Sequence, residues 1–176
     1  RLNYFSSDTM GDIIFPTHND YTNSGYHRGH LVPARDMAFS KTSMIESFLT
    51  TNIAPQSPSF NTGIWKRLEN YVRKYAMVSD TLIIISGPVI QKDSVYQKIG
   101  SNLVYVPKLF YKIIVDKSKK STLSFLIPNE KQSMPIDSFL CNIEIIEKMT
   151  GVDFFYRLSD AHEKKLQKYN SKIVVF

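Results

Sequence analysis

Residues 61–78 constrain this chain most. Ile64, Trp65, Leu68, Tyr71, Val72 and Tyr75 recur there at intervals of three and four. That period returns to one side of an α-helix and predicts a long helix with one buried face. The other apolar segments are short. Leu82–Ser86, Val104–Pro107, Phe110–Asp116 and Thr122–Ile127 read as strands, by their branched and aromatic content. Within the third, Tyr111, Ile113 and Val115 alternate with Lys112, Ile114 and Asp116, and 117–120 is a charged turn. Shorter helices are predicted over 41–50, behind Ser40 as N-cap, with Met44, Phe48 and Leu49 as its apolar face, and over 138–149 and 159–169, the last opened by Ser159 or Asp160. Residues 1–30 read as loop leading into a strand, His30–Ala34 as strand running into loop, and 52–60, with Pro55 and Pro58, as loop. The fold class is therefore α+β: an antiparallel or mixed central sheet flanked by helices.

The 176 residues suit one domain over 1–176, long enough to bury a core. No segment reaches the roughly 18 apolar residues that would span a membrane, so membrane insertion is not expected. The chain starts at Arg1 without a visible signal peptide, as a mature or trimmed form would. Its one cysteine, Cys141, rules out an internal disulfide framework and a cysteine-rich zinc site. It reads as a half-buried thiol on a helix. Lysine and arginine number 22 against 16 acidic residues, a net charge of +6. That balance suits a polyanionic partner.

Two stretches carry chemistry. In the second, Asn61 opens the long helix and Glu69 follows eight residues on, roughly 12 Å along the axis and ~80° around it. Both can look toward one region without touching one ion, and a hydrated Mg²⁺ would fill the gap, with Asn61 as direct ligand and Glu69 holding one of its waters. Arg73, four residues beyond Glu69, can pair with that carboxylate or reach a phosphate. Taken alone, Asn61 reads as an N-cap and Glu69–Arg73 as a surface ion pair, while Trp65 reads as core. In the first stretch, Arg28 and His30 are two apart and share a face of an extended strand. Arg28 would grip a phosphate oxygen and hold His30 in its basic form, ready to take a proton from water. Gly29 between them would allow close backbone approach. A surface Arg and His without a role is the plain alternative. His27 and His30 also form His-x-x-His, but Cys141, His18 and His162 add no zinc-ligand spacing.

The stretches His27-Arg28-Gly29-His30, Thr51-Asn52-Ile53-Ala54-Pro55-Gln56 and Asn61-Thr62-Gly63-Ile64-Trp65-Lys66-Arg67-Leu68-Glu69 together resemble the DNA/RNA non-specific endonuclease family, the ββα-metal nucleases. The approach Asp20–Tyr26, Ser86-Gly87-Pro88, Val106-Pro107 and Pro128-Asn129-Glu130 are similar to further family segments, so the resemblance covers about residues 1–156. It implies a ββα-metal active site. His30 would be the general base, Asn61 the Mg²⁺ ligand (Mn²⁺ as a substitute), and Glu69 the holder of a metal-bound water. Arg28 and Arg73 would stabilise phosphate charge, and Asn52 would support the geometry of His30 and the phosphate. Arg1 matches a further upstream arginine of the family. The departure is His27, where the family usually has Asp; it raises the alternative of a weakly active or inactive nucleic-acid-binding homologue.

The function expected is hydrolysis of DNA and RNA phosphodiester bonds to 5′-phosphate ends without sequence readout. A single-strand exonuclease and a domain using the His pair for metal or protein binding are competing readings. DNA and RNA are the expected partners, with a homodimer and an inhibitor protein compatible with the chain. The compartment expected is secreted or periplasmic, in the bacterial manner, with mitochondria as the alternative.

Overall fold

The computed structural model describes residues 5–8, 15–92 and 94–167. Arg1 and the end of the expected last helix lie outside them. The sheet at the centre is three-stranded and antiparallel, in the order β3-β6-β7 (Leu82–Pro88, Leu109–Asp116, Ser121–Pro128). Alternation along β6 sends Phe110 and Ile114 to one face and Ile113 and Val115 to the other. The first face packs under the long helical run through Phe60, Ile64, Trp65, Leu68, Tyr71, Val72 and Tyr75. The second packs against Ile143 and Ile146 of α5 (Ile143–Thr150) and against Phe155, with α6 (Asp160–Gln167) contributing Leu166. Helices thus cover both faces of the sheet, as the α+β reading expects.

Several sequence expectations shift in detail. The long helix begins earlier, because Ser57 caps it by accepting from the Phe60 N–H at 3.3 Å and Pro58 fills its first turn. It runs through α3 (Pro58–Phe60), a π turn over Asn61–Trp65, and α4 (Lys66–Ala76). Residues 52–60 are only partly loop, since β2 (Ile53–Gln56) pairs antiparallel with β1 (His27–His30). Pro55 is tolerated there because its carbonyl accepts from Asn129 Nδ2 at 3.0 Å. Its nitrogen therefore faces away from β1, where a missing N–H costs no ladder bond. The helix behind Ser40 is α2 (Lys41–Glu46). The expected 138–149 helix divides into a 3₁₀ turn at Ile136–Phe139 and α5, capped by Asn142. Cys141 lies in the link between them rather than on a helix, half-buried, and burial pushes its thiol up to about 11.

Sequence patterning predicts β5 (Val104–Tyr105), inside the expected strand Val104–Pro107, but not α1 (His18–Tyr21) or the hairpin that pairs β5 with β4 (Lys98–Ile99). Both are short and depend on buried Asp20. That carboxylate accepts from the Thr17 N–H (2.7 Å) and hydroxyl (2.9 Å) and, in the hairpin turn, from Asn102 N (3.0 Å), Asn102 Nδ2 (2.8 Å) and Ser101 Oγ (3.3 Å). Burial alone would raise its pKa, but these donors together hold it well below the usual carboxylate range. A depressed folded-state pKa contributes stability above the unfolded value of about 4, and that stability is lost as pH falls further. Asp20→Asn is therefore expected to cost about 2 kcal/mol at pH 7, and the gap from wild type should shrink in thermal melts below about pH 4. A gap equal at both pH values would refute the ionised anchor.

Candidate active site

The β1–β2 ribbon and the helical run meet at one cavity of about 700 Å³, whose walls include Arg28, His30, Asn61, Glu69 and Arg73. Five of the six expected site residues thus come together. Each is placed by a distinct local device.

His30 ends β1, and its imidazole stands edge-on to Phe48 at 4.9 Å and tilted to Phe5 at 5.7 Å. Its carbonyl accepts from Trp65 Nε1 at 3.4 Å, which ties the strand to the helical run. The sixth residue, Asn52, acts just beyond. Its Oδ1 accepts from the Val32 N–H, and its Nδ2 donates to the carbonyls of Val32 and Ser47, all at 2.9 Å. Both amide protons are thereby engaged with backbone, so Asn52 clamps the chain leaving His30 and has no N–H left for a phosphate. Gly29 is needed for close approach, although the approaching group is a side chain: a Cβ there would collide with fully buried Gln56.

Arg28 shares the cavity with His30, as the strand spacing predicts. Its guanidinium lies 4.9 Å from the Phe5 ring centroid and its NH1 is 3.4 Å from His18 Nε2. Sequence reading gave His18 no part; here it braces Arg28 from α1.

Asn61 is not the N-cap of its helix. Its own N–H donates to the Ser57 carbonyl at 2.9 Å, and it sits inside the π turn. Gly63 leaves helical geometry in that turn, with φ −98° and ψ −107°, so the regular-helix angle between Asn61 and Glu69 does not hold. π turns of this kind are common at functional sites. Asn61 Nδ2 is 3.2 Å from His27 Nδ1, and among the described residues no donor meets Asn61 Oδ1. An open carboxamide oxygen sharing a cavity with a carboxylate is a hard-oxygen donor set that suits Mg²⁺ with several waters.

Glu69 and Arg73 form the expected ion pair, Arg73 NH2 to Glu69 Oε2 at 3.3 Å. Arg73 also bonds Asp36 Oδ1 through Nε at 2.5 Å and Asn70 Oδ1 through NH1 at 2.9 Å. Among the described residues three of its five N–H groups are engaged, leaving two that a phosphate could use. Burial raises the Glu69 pKa; the Lys112 charge opposes this most strongly and Arg73 next. Lys112 is a residue that sequence reasoning missed. It lies on β6, 1% exposed, with Nζ 4.5 Å from the Trp65 ring centroid, and burial lowers its pKa to about 8. Alternation in β6 marks it as the polar face of a strand, and only the helical run lying over that face buries it.

A separate acidic group, Glu147, Asp153 and Glu163, gathers near α5 and α6. Glu147 there already accepts from Phe154 N and Gln167 Nε2.

The model of the DNA/RNA non-specific endonucleases matches residues 1–161. The chain belongs to this family. Among its relatives, Nuclease EXOG, mitochondrial, of Xenopus laevis is 34% identical over 157 residues, covering 81% of this chain and 44% of that protein. Endonuclease G, mitochondrial, of Bos taurus is 33% identical over 164 residues, covering 86% and 55%. A chain in the crystal structure of the EndoG/EndoGI complex matches with a TM-score of 0.77 at 29% identity, over 89% of this chain and 70% of that one. The chain spans about half the length of the curated relatives it matches. Among the described residues, no helix is long and apolar enough to cross a membrane.

The electrostatics of this family member's site give a direct expectation. Removing the Lys112 cation disfavours the Glu69 carboxylate, so in Lys112→Met the Glu69 pKa should rise further. Carboxyl-carbon NMR titration reads it. An unchanged Glu69 titration would mean that Lys112 is too well screened to act on it.

Proposed function

We propose that the chain is a Mg²⁺-dependent nuclease that hydrolyses phosphodiester bonds of DNA and RNA, with His30 as general base. The observation that carries this reading is the single cavity shared by His30, Arg28, Asn61, Glu69 and Arg73. His30 takes a proton from the attacking water. Arg28, and the two uncommitted N–H groups of Arg73, bind phosphate oxygens as negative charge builds. Asn61 Oδ1 would be the direct ligand, with the Glu69 carboxylate accepting hydrogen bonds from water at the site. Bound there, Mg²⁺ (or Mn²⁺) would supply Lewis-acid neutralisation of the charge that builds on the phosphate. Nothing in this arrangement uses a ribose 2′-hydroxyl, so both nucleic acids are substrates, with 5′-phosphate and 3′-hydroxyl products.

The compartment proposed is mitochondrial, the alternative in the sequence reading, because the relatives reported above are named as mitochondrial nucleases; none of them supports the secreted or periplasmic compartment expected first. An inhibitor protein is proposed as a partner on the strength of the EndoG/EndoGI complex.

Supercoiled plasmid and a long RNA incubated with Mg²⁺ or with EDTA test the reading. Both should be cut only with Mg²⁺, and His30→Ala should lose at least about 100-fold in rate, the usual scale for a general base. Loss of linear but not circular DNA would instead indicate an exonuclease. A His30→Ala rate equal to wild type would remove the proposed base.

A further inference from the structure

Asn61 lies between two cavities. One is the 700 Å³ cavity of the proposed site; the other, about 470 Å³, is lined by His27, His18, Phe5 and Arg28. Its carboxamide therefore has two ends with different tasks. The amide nitrogen has no lone pair to offer and can only donate. Nδ2 lies 3.2 Å from His27 Nδ1 and donates to that nitrogen when the imidazole is in its Nε2–H tautomer. In that tautomer the Asn61 carboxamide is held with Oδ1 as the atom left without a protein donor among the described residues.

The opposite orientation would be useless to a cation. With Oδ1 accepting from a protonated Nδ1, the amide N–H groups would be the free end, and an N–H₂ cannot ligate a metal. A free asparagine amide can flip about its last torsion at little cost, since that torsion is broad and roughly two-fold. What selects the ligating orientation is the acceptor beside it. An aspartate, which the family usually has at this place, is acceptor-only when ionised. A histidine supplies the same acceptor in one tautomer.

We propose that His27 is a positioning residue for the metal site: its Nδ1 accepts the Asn61 amide proton and so presents Asn61 Oδ1 to the ion. The substitution of histidine at this motif position then preserves the site rather than disabling it. This inference rests on the proposed metal role of Asn61. His27 acts through Asn61 and is not itself a ligand.

The test is calorimetric titration of the nucleic-acid-free protein with Mg²⁺ and with Mn²⁺, so that binding is read without turnover. His27→Leu keeps the bulk and removes the acceptor; it should weaken both metals about tenfold. His27→Asn restores a neutral acceptor oxygen near the place of Nδ1, and should return both affinities to within about threefold of wild type. Circular-dichroism melts check that each variant is folded. Should His27→Leu fail to fold, electron spin echo spectroscopy of Mn²⁺ on wild type and His27→Asn still decides the matter, because ligation by imidazole nitrogen in wild type would overturn the positioning role. Wild-type affinity in folded His27→Leu, or no recovery in His27→Asn, would also overturn it. Asn61→Ala separates the two levels: if metal binding does not depend on Asn61, the metal reading itself fails, and this inference with it.

Discussion

The packing of Trp65 is the constraint on which the rest of the structure depends. The indole is fully buried, stacks on Phe60 at 5.2 Å and lies tilted against Phe110 at 5.7 Å. It therefore locks the helical run onto the central strand of the sheet, with the large apolar burial that aromatic side chains provide. Its polar edge reaches the other way, donating Nε1–H to the carbonyl of His30. Its face meets the Lys112 ammonium from β6. One side chain thus fixes the strand that carries the proposed base, the helix that carries the proposed metal ligand, and the buried cation that opposes the raised pKa of Glu69.

Around that hub the loops are held by side chains bonded to backbone. Asn52 grips the chain after His30. Asn129 donates to the carbonyls of Pro55 and Pro107 and accepts from the Ser57 N–H at 2.8 Å. It joins the end of β7 to the turn that starts the helical run. Half-buried amides used in this way satisfy carbonyls that have no ladder partner. They give an irregular segment the rigidity that a catalytic geometry requires.

What could be read in the sequence was what is local. The helical period, the β6 and β7 alternation, and the pairing of Glu69 with Arg73 all depend on residues within a few positions of one another. Arg28 and His30 share a face because strand geometry makes i and i+2 neighbours. The start of the long helix was misjudged because Asn61 is a good cap residue in isolation, while the Ser57-Pro58 pair upstream is a better start signal. Pro55 argues against a strand because it has no N–H; that its carbonyl faces Asn129, 74 positions away, and its nitrogen therefore faces away from β1, is set by the tertiary fold. The braces of the site were equally invisible: Asp36 on Arg73, Lys112 beneath Trp65, Phe5 and His18 on Arg28. Each joins segments that only the tertiary fold brings together. His27 was legible as a departure from a motif, but its contact with Asn61 was not.

The proposed chemistry rests on one cation site at Asn61. Crystals soaked in Mn²⁺ and measured near the manganese absorption edge locate the ion directly by anomalous scattering. The account predicts a peak at bonding distance from Asn61 Oδ1, with Glu69 close enough to hold an intervening water. A peak at Glu147, Asp153 and Glu163 with none beside Asn61 would contradict it.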